Sequence, residues 1–116
     1  MTAPDHDRRR SSRLKLRVPV EVFIEGSDSP IRGATSDISL TGCYIETIFP
    51  FPVGVDLELK LQIDGTLLVL ATVVTCDPQV GNGIQFSKML PEDIDELRAF
   101  LEAAEKEAAE GTEKKD

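Results

Sequence analysis

The chain has 116 residues, which is the usual size of a single domain with one hydrophobic core. Its net charge of -8 argues against general nucleic-acid affinity, because a protein that binds a polyanion needs a basic surface to displace the counterions. No apolar run approaches the roughly 18 residues that span a bilayer, and Met1 to Ser12 lack the apolar stretch of a signal peptide. We therefore expect a cytoplasmic protein without membrane insertion.

The chain begins with a basic segment. Residues 1–12 are polar and have no apolar periodicity, so they are predicted to form a flexible arm. Residues 1–17 hold six basic and two acidic side chains, a charge of +4. Because the whole chain carries -8, the remaining residues carry -12. A cationic arm thus precedes an acidic body.

A run of strands is predicted over residues 13–90. From Leu14 to Ile24, apolar residues fill every second position, which is typical of one face of a strand. Pro19 lies on the opposite face and indicates an edge, a bulge or an outward-facing amide, because proline cannot donate to a ladder. Turn residues follow over Glu25 to Pro30, and a second strand is expected from Ile31.

The middle of the chain continues this pattern. Thr41-Gly42 breaks it before a short strand from Cys43 to Ile48, and the prolines of Phe49 to Pro52 indicate a loop.

A hairpin is the clearest local prediction. Val55 to Ile63 alternates, Asp64-Gly65 is a two-residue turn signal, and Leu67 to Thr75 returns. Gly81-Asn82-Gly83 introduces a last short strand, Ile84 to Phe86. Six or seven short strands predict a β-barrel or sandwich.

The last element is predicted to be an amphipathic helix from Pro91 to about Glu110. Its apolar residues repeat at spacings of three and four: Ile94, Leu97, Leu101, Ala104 and Ala108. This stripe is expected to pack against the barrel, with a coiled-coil or partner-binding role as the alternative. Gly111 to Asp116 is predicted to be a disordered tail.

Catalytic chemistry has little support in the sequence. The one histidine, His6, lies in the arm, and no zinc-protease, nucleophile-elbow or phosphate-loop motif occurs. Carboxylates such as Asp56 and Asp64 alternate with apolar residues, as on the solvent face of a strand. Cys43 and Cys76 have no metal-ligand spacing and are interpreted as apolar fillers. We therefore expect no enzyme activity, no metal and no cofactor.

Two clusters remain as candidate binding sites. The first is Arg8 to Arg13, in which guanidinium groups suit phosphate oxygens and the N7 and O6 edge of guanine. The second runs from Asp37 to Gly42; Asp37 and Ser39, two apart, are expected on one face, where a carboxylate can accept from the N1 and N2 donors of guanine. Gly42 allows a sharp turn or a close backbone approach. The alternatives are a solubilising tail for the first cluster and an Asx-type turn for the second.

These two clusters resemble the hallmarks of the PilZ domain family, RxxxR and [D/N]xSxxG. They correspond to Arg9 to Arg13 and to Asp37 to Gly42, and the segment from Gly81 to Phe86 looks like the closing G-x-G-[I/V]-x-F strand of that family. The resemblance implies a six- or seven-stranded antiparallel β-barrel of the split-barrel type with a C-terminal helix. It also implies that the ligand is the bacterial second messenger cyclic di-GMP.

The resemblance further implies roles for single residues. Arg9 and Arg13 would hold the phosphates and contact guanine, and Asp37, Ser39 and Gly42 would line the other side of the ligand.

Two details of the arginine motif bear on the ligand. Arg13 to Arg17 is a second RxxxR match, but the alternation makes Arg17 an outward strand residue, so the register from Arg9 is preferred. In this family the residue before RxxxR influences whether one ligand or a stacked pair is bound; here it is Arg8, whose charge favours two ligands.

The predicted function is that of a single-domain receptor and adaptor. Ligand binding would order the arm of residues 5–13 on the barrel and alter contact with a downstream protein effector. The alternative is a nucleotide-independent protein-interaction module. Single-stranded nucleic-acid binding is disfavoured by the acidic body, which has one Tyr and no Trp. A monomer or weak dimer is expected.

Overall fold

The computed structural model of the protein describes residues 13–24 and 27–114, with side chains described as far as Glu107. The described residues form six strands and one helix, in this order: β1 Pro19–Ile24, β2 Ile31–Ile38, β3 Gly42–Glu46, β4 Asp56–Gln62, β5 Thr66–Asp77, β6 Gly81–Lys88 and α1 Pro91–Lys114.

The six strands form a closed barrel. Their order around it is β1-β2-β3-β6-β5-β4, every neighbouring pair is antiparallel, and β1 closes the barrel by pairing with β4. Closure leaves none of these strands with a free edge. The predicted antiparallel barrel is therefore confirmed, with six strands.

The barrel interior is filled by aliphatic side chains. The alternating residues of each strand point inward, and the largest fully buried ones are Ile38, Leu59, Leu61, Leu67 and Ile84. Because these side chains fill the inside, a ligand can only bind to the outer face or to the ends of the barrel.

The predicted strand from Leu14 to Ile24 is shorter than expected, since β1 begins at Pro19. The preceding residues still alternate between outside and inside and lie along β2, where Leu14 forms an isolated bridge with Ile38. In the segment between Leu14 and Pro19, the Thr35 hydroxyl of β2 accepts a hydrogen bond from the Val18 amide at 2.9 Å and donates one to the Leu16 carbonyl at 2.7 Å. A side chain thus replaces part of the backbone ladder just before the proline.

The predicted hairpin is present, with a longer turn. Gln62 and Thr66 form the last pair of β4 and β5, so three residues rather than two connect the strands. The last strand is also longer than predicted, because Gly81, Asn82 and Gly83 already pair with β3.

Helix α1 packs on the barrel with its predicted apolar stripe. Leu97 and Leu101 are buried in the core cluster, and Ile94 and Ala104 are half-buried. The helix continues past Glu110 to Lys114, so the prediction of a disordered tail from Gly111 is wrong for most of that segment. The preceding sequence is rich in Ala, Glu and Lys, strong helix formers that carry the helix through one glycine at a cost of about 1 kcal/mol.

The two ends of the barrel differ. The helix end holds α1, the turn between β2 and β3, and the turn between β4 and β5, where Gly65 lies close to Glu96. The loop end holds the connection of β3 to β4 and the turn between β5 and β6. Among the described residues no helix is long and apolar enough to cross a membrane.

Candidate ligand-binding site

The two sequence motifs meet at the helix end of the barrel. Leu14 and Ile38 exchange two backbone hydrogen bonds, of 2.9 and 3.0 Å, which bring the residues next to them together. The Arg13 Nη1 lies 2.7 Å from Asp37 Oδ1, and both side chains are partly open to solvent. An ion pair this exposed contributes little to stability, so both groups remain available to a ligand.

Ser39 does not share an outer face with Asp37, contrary to expectation. Strand β2 ends at Ile38, and the chain then turns, so that Ser39 is fully buried. Its Oγ accepts from the Thr41 amide at 3.1 Å and lies 3.2 Å from Thr41 Oγ1. Ser39 therefore shapes the turn, in a serine version of the Asx-type turn considered above.

Gly42 is required by the close approach of two backbones. A Cβ at this position would lie within 3.0 Å of the Ile84 carbonyl oxygen on the neighbouring strand β6. Gly54 is the one described glycine with a positive φ, so the backbone of Gly42 is not left-handed. Of the two reasons considered for a glycine here, the close approach applies.

Tyr44 extends the site across the barrel wall. It lies directly opposite Asp37 on one side and Gly83 on the other, between the inward-facing Cys43 and Ile45. Its side chain is therefore on the outer face, beside the ion pair. Sequence reasoning did not select Tyr44, although the alternation of this strand was enough to place it outside.

The hydroxyl of Tyr44 is held by a carboxylate. It donates to Asp77 Oδ2 at 2.6 Å, and this hydrogen bond, followed by burial and nearby negative charge, raises the pKa of Tyr44 to about 12. A Cβ at Gly81 would lie 2.8 Å from a ring carbon of Tyr44, so a glycine there leaves room for the ring.

Cys43 lies behind this surface, inside the barrel. Burial raises the pKa of its thiol to about 12, opposed by the charge of Arg13, so the thiol stays protonated at neutral pH. Cys43 behaves as an apolar side chain, and Cys76 is a free, half-buried thiol. Within residues 13–24 and 27–114, no cluster of His, Cys, Asp and Glu could hold a metal ion.

The structure thus brings Arg13, Asp37, Ser39 and Gly42 to one end of the barrel. The predicted site residues Arg8 and Arg9 lie outside the described residues. Arg17, the second arginine of the other possible register, is exposed just before β1.

An open groove of about 700 Å³ lies on another part of the outer face, and neither motif contributes to it. Its lining comes mainly from β1, β4 and β5 and includes Phe23, Ile24, Asp56, Glu58, Leu70 and Thr72. Because this lining carries carboxylates and no cation, the groove does not suit a phosphate ligand.

Comparison with protein-family models matches the PilZ domain over residues 7–103, which is most of the chain. The chain belongs to the PilZ domain family. The family prediction made from RxxxR and [D/N]xSxxG is therefore confirmed. A search of curated proteins found no matching sequence.

Solved PilZ structures share the fold. YcgR from Escherichia coli, in complex with c-di-GMP, matches with a TM-score of 0.76 at 19% identity, over 94% of this chain and 51% of that chain. The PilZ domain of CeSA from a cellulose-synthesizing bacterium matches with a TM-score of 0.64 at 21% identity, over 81% and 99%.

The Bacillus subtilis inhibitor of motility, MotI/DgrA, matches with a TM-score of 0.70 at 19% identity, over 89% of this chain and 52% of that chain. The chain therefore spans about half the length of the YcgR and MotI chains and nearly the whole CeSA domain. At these identities the likeness is one of fold.

Proposed function

We propose that this PilZ domain is a receptor for cyclic di-GMP, which it binds on the outer face of β2 and β3 at the helix end. The observation that carries the proposal is the 2.7 Å contact between Arg13 and Asp37, which joins the last residue of one motif to the first residue of the other. Membership of the PilZ family supports it, as does the similarity in fold to YcgR, whose structure contains c-di-GMP.

The chemistry of this surface matches the two parts of the ligand. The Arg13 guanidinium donates one N–H to Asp37 and has further donors for a phosphate or for the acceptor edge of guanine. The carboxylate of Asp37 can accept from the N1 and N2 donors of guanine. The Tyr44 ring, one strand further along, offers an aromatic face to a base.

Ser39 and Gly42 act indirectly in this proposal. The buried Ser39 hydroxyl fixes the turn that follows Asp37, and Gly42 lets β3 approach β6 closely. Both therefore hold the Asp37 carboxylate in position.

Arg8 and Arg9 supply the remaining positive charge. By the family motif, Arg9 pairs with Arg13 around the phosphates, and Arg8 favours a stacked pair of ligands. We therefore propose two cyclic di-GMP molecules per protomer.

The proposed signal is ordering of residues 5–13 on the barrel, which creates a composite surface for a downstream protein. Charge-assisted hydrogen bonds, at roughly 1.5 to 3 kcal/mol each, offset the conformational entropy that ordering costs. Hydrogen exchange measured with and without cyclic di-GMP tests this step. Slower exchange of residues 5–13 with ligand is expected, and unchanged exchange despite binding refutes the switch.

Calorimetric titration with cyclic di-GMP tests binding, with GTP and cyclic di-AMP as competitors of related chemistry. We expect selective binding with two ligands per protomer. Arg13→Ala removes one charged contact worth roughly 1.5 to 3 kcal/mol, so its affinity should fall about tenfold to a hundredfold.

The register of the arginine motif is tested by a matched pair of variants. Arg9→Ala and Arg17→Ala each remove one arginine and leave Arg13 in place. Loss of binding in Arg9→Ala alone supports the proposed register, and loss in Arg17→Ala alone assigns the other. If the folded wild-type protein does not bind the dinucleotide, it is instead a nucleotide-independent interaction module.

A further inference from the structure

The loop end of the barrel displays an unusual group of exposed apolar side chains. Phe49 is 80% exposed, Ile48 64%, Val53 61% and Val80 56%. We call these four residues the apolar end patch. Exposed apolar side chains grouped at one end of a domain, with an aromatic residue among them, are characteristic of protein interfaces.

Backbone contacts place these residues at the same end of the barrel. The Thr47 amide donates to the Val80 carbonyl at 3.0 Å, which joins the loop after β3 to the turn between β5 and β6. The Gly54 amide donates to the Val73 carbonyl at 2.9 Å, which ties the far side of the same loop to β5.

The loop that carries the patch is also anchored from inside. The buried Asn82 side chain accepts from the Phe51 amide and donates to the Phe51 carbonyl, both at 2.8 Å. A third bond from Asn82 reaches the Thr75 carbonyl at 3.0 Å. A loop held in this way presents its apolar residues in a fixed arrangement, which lowers the entropic cost of binding a partner.

Acidic residues border the loop and the turn that carry the patch. Glu46 precedes the loop, Asp56 follows it, and Asp77 begins the adjacent turn; all three are exposed. Two basic side chains lie on the neighbouring strands: Arg32 on β2, whose Nε lies 3.5 Å from Glu21 Oε2, and Lys60 on β4. Lys60 pairs with Leu68 on β5, and its Nζ lies over the Phe23 ring, 5.1 Å from the ring centroid.

We propose that the apolar end patch docks a protein segment that presents apolar side chains flanked by Lys or Arg. Apolar contacts would cover Phe49 and its neighbours, and the cations would face Glu46, Asp56 and Asp77. Pairing with the same patch of a second copy would bring two acidic rims together and be repelled. Anionic lipid and nucleic acid would be repelled for the same reason.

This inference goes beyond the proposed function and does not depend on it. The patch lies at the opposite end of the barrel from the Arg13–Asp37 pair, and its test uses the protein without dinucleotide. Failure of cyclic di-GMP to bind would leave the docking surface intact.

The test uses two synthetic amphipathic peptides with the same leucine pattern, one with lysine and one with glutamate at the polar positions. Each is titrated into the ¹⁵N-labelled full chain and followed through amide chemical shifts. The leucine–lysine peptide is expected to shift Ile48, Phe49 and Val80, and the leucine–glutamate peptide is not. Raising the salt concentration should weaken binding.

A pair of exposed-residue variants provides the control. Phe49→Ser is expected to lower the affinity of the protein for the leucine–lysine peptide at least tenfold. Leu68→Ser, at a residue 47% exposed on the outer face of β5, should leave affinity unchanged. Both side chains are exposed in the free protein, so neither change removes core packing.

Three results would overturn the proposal. The first is equal binding of both peptides, or binding that Phe49→Ser leaves unchanged. The second is self-association in sedimentation that Phe49→Ser abolishes, which would assign the patch to a second copy. The third is binding to anionic phospholipid vesicles through the same residues.

Discussion

Replacing Gly42 by alanine separates the structural role of the second motif from its ligand-binding role. The added Cβ would lie within 3.0 Å of the Ile84 carbonyl oxygen, 3.3 Å from its carbonyl carbon and 3.4 Å from the Gln85 Cα. These are backbone atoms, which cannot rotate away as a flexible side chain can. Strands β3 and β6 must therefore move apart where they pair.

The expected cost follows from that geometry. Forcing an extra methyl group into a packed site costs typically 1 to 3 kcal/mol, and an unyielding backbone neighbour indicates about 2 kcal/mol or more. For a domain of this size, each kcal/mol lowers Tm by roughly 4 °C, so Gly42→Ala should lower Tm by about 8 °C or more without ligand.

Gly33→Ala is the matched control. Its Cβ would meet only the Ile45 Cγ2, at an ordinary contact distance of 3.7 Å, and its backbone is not left-handed. Stability should change by less than about 0.5 kcal/mol, or rise slightly, because alanine restricts the unfolded chain. Thermal unfolding of both apo variants measures the difference. Equal Tm values for Gly42→Ala and wild type would refute the close-approach explanation.

Three further changes test other parts of the structure. Asp77→Ala should lower the pKa of Tyr44 from about 12 towards its ordinary 10.0, measured by ultraviolet titration of the single tyrosine. Because the pKa is raised in the folded protein, the Tyr44–Asp77 bond stabilises the fold fully below pH 10, and this stabilisation is lost as the pH rises through 12. An unchanged titration would show that Asp77 does not set that pKa. Asn82→Ala should lower the free energy of unfolding by about 3 kcal/mol, because three hydrogen bonds are lost and the backbone amide and carbonyl of Phe51 lose their partner. Denaturant unfolding measures this change, and a value near zero would contradict the anchoring role. Leu97→Ala should cost about 3 kcal/mol by the same measurement, because Leu97 is fully buried where α1 packs on the barrel, and a neutral effect would contradict that packing.

Much of the fold follows from periodicity alone. Period-two alternation predicts which side chains enter the barrel, and the spacing of Leu97 and Leu101 predicts the face of α1 that packs. These patterns are local, so they can be recognised in a single sequence. The shortening of the first strand is different, because it depends on the Thr35 hydroxyl, which comes from a distant part of the chain.

The site shows the same division. The spacing of Asp37 and Ser39 predicts a shared face only if the strand continues, and the turn after Ile38 places Ser39 inside. The bond between Tyr44 and Asp77 joins residues 33 positions apart, and no local pattern predicts their contact. The meeting of Arg13 and Asp37 was expected through family resemblance, not through spacing.

The most direct test of the central claim is an amide chemical-shift titration of the ¹⁵N-labelled protein with cyclic di-GMP. It reports binding and location together. The account predicts the largest shifts at Arg13, Asp37 and Tyr44, with little change at Phe49 and Val80 on the opposite end. Shifts confined to the loop end, or no shifts in the folded protein, would contradict it.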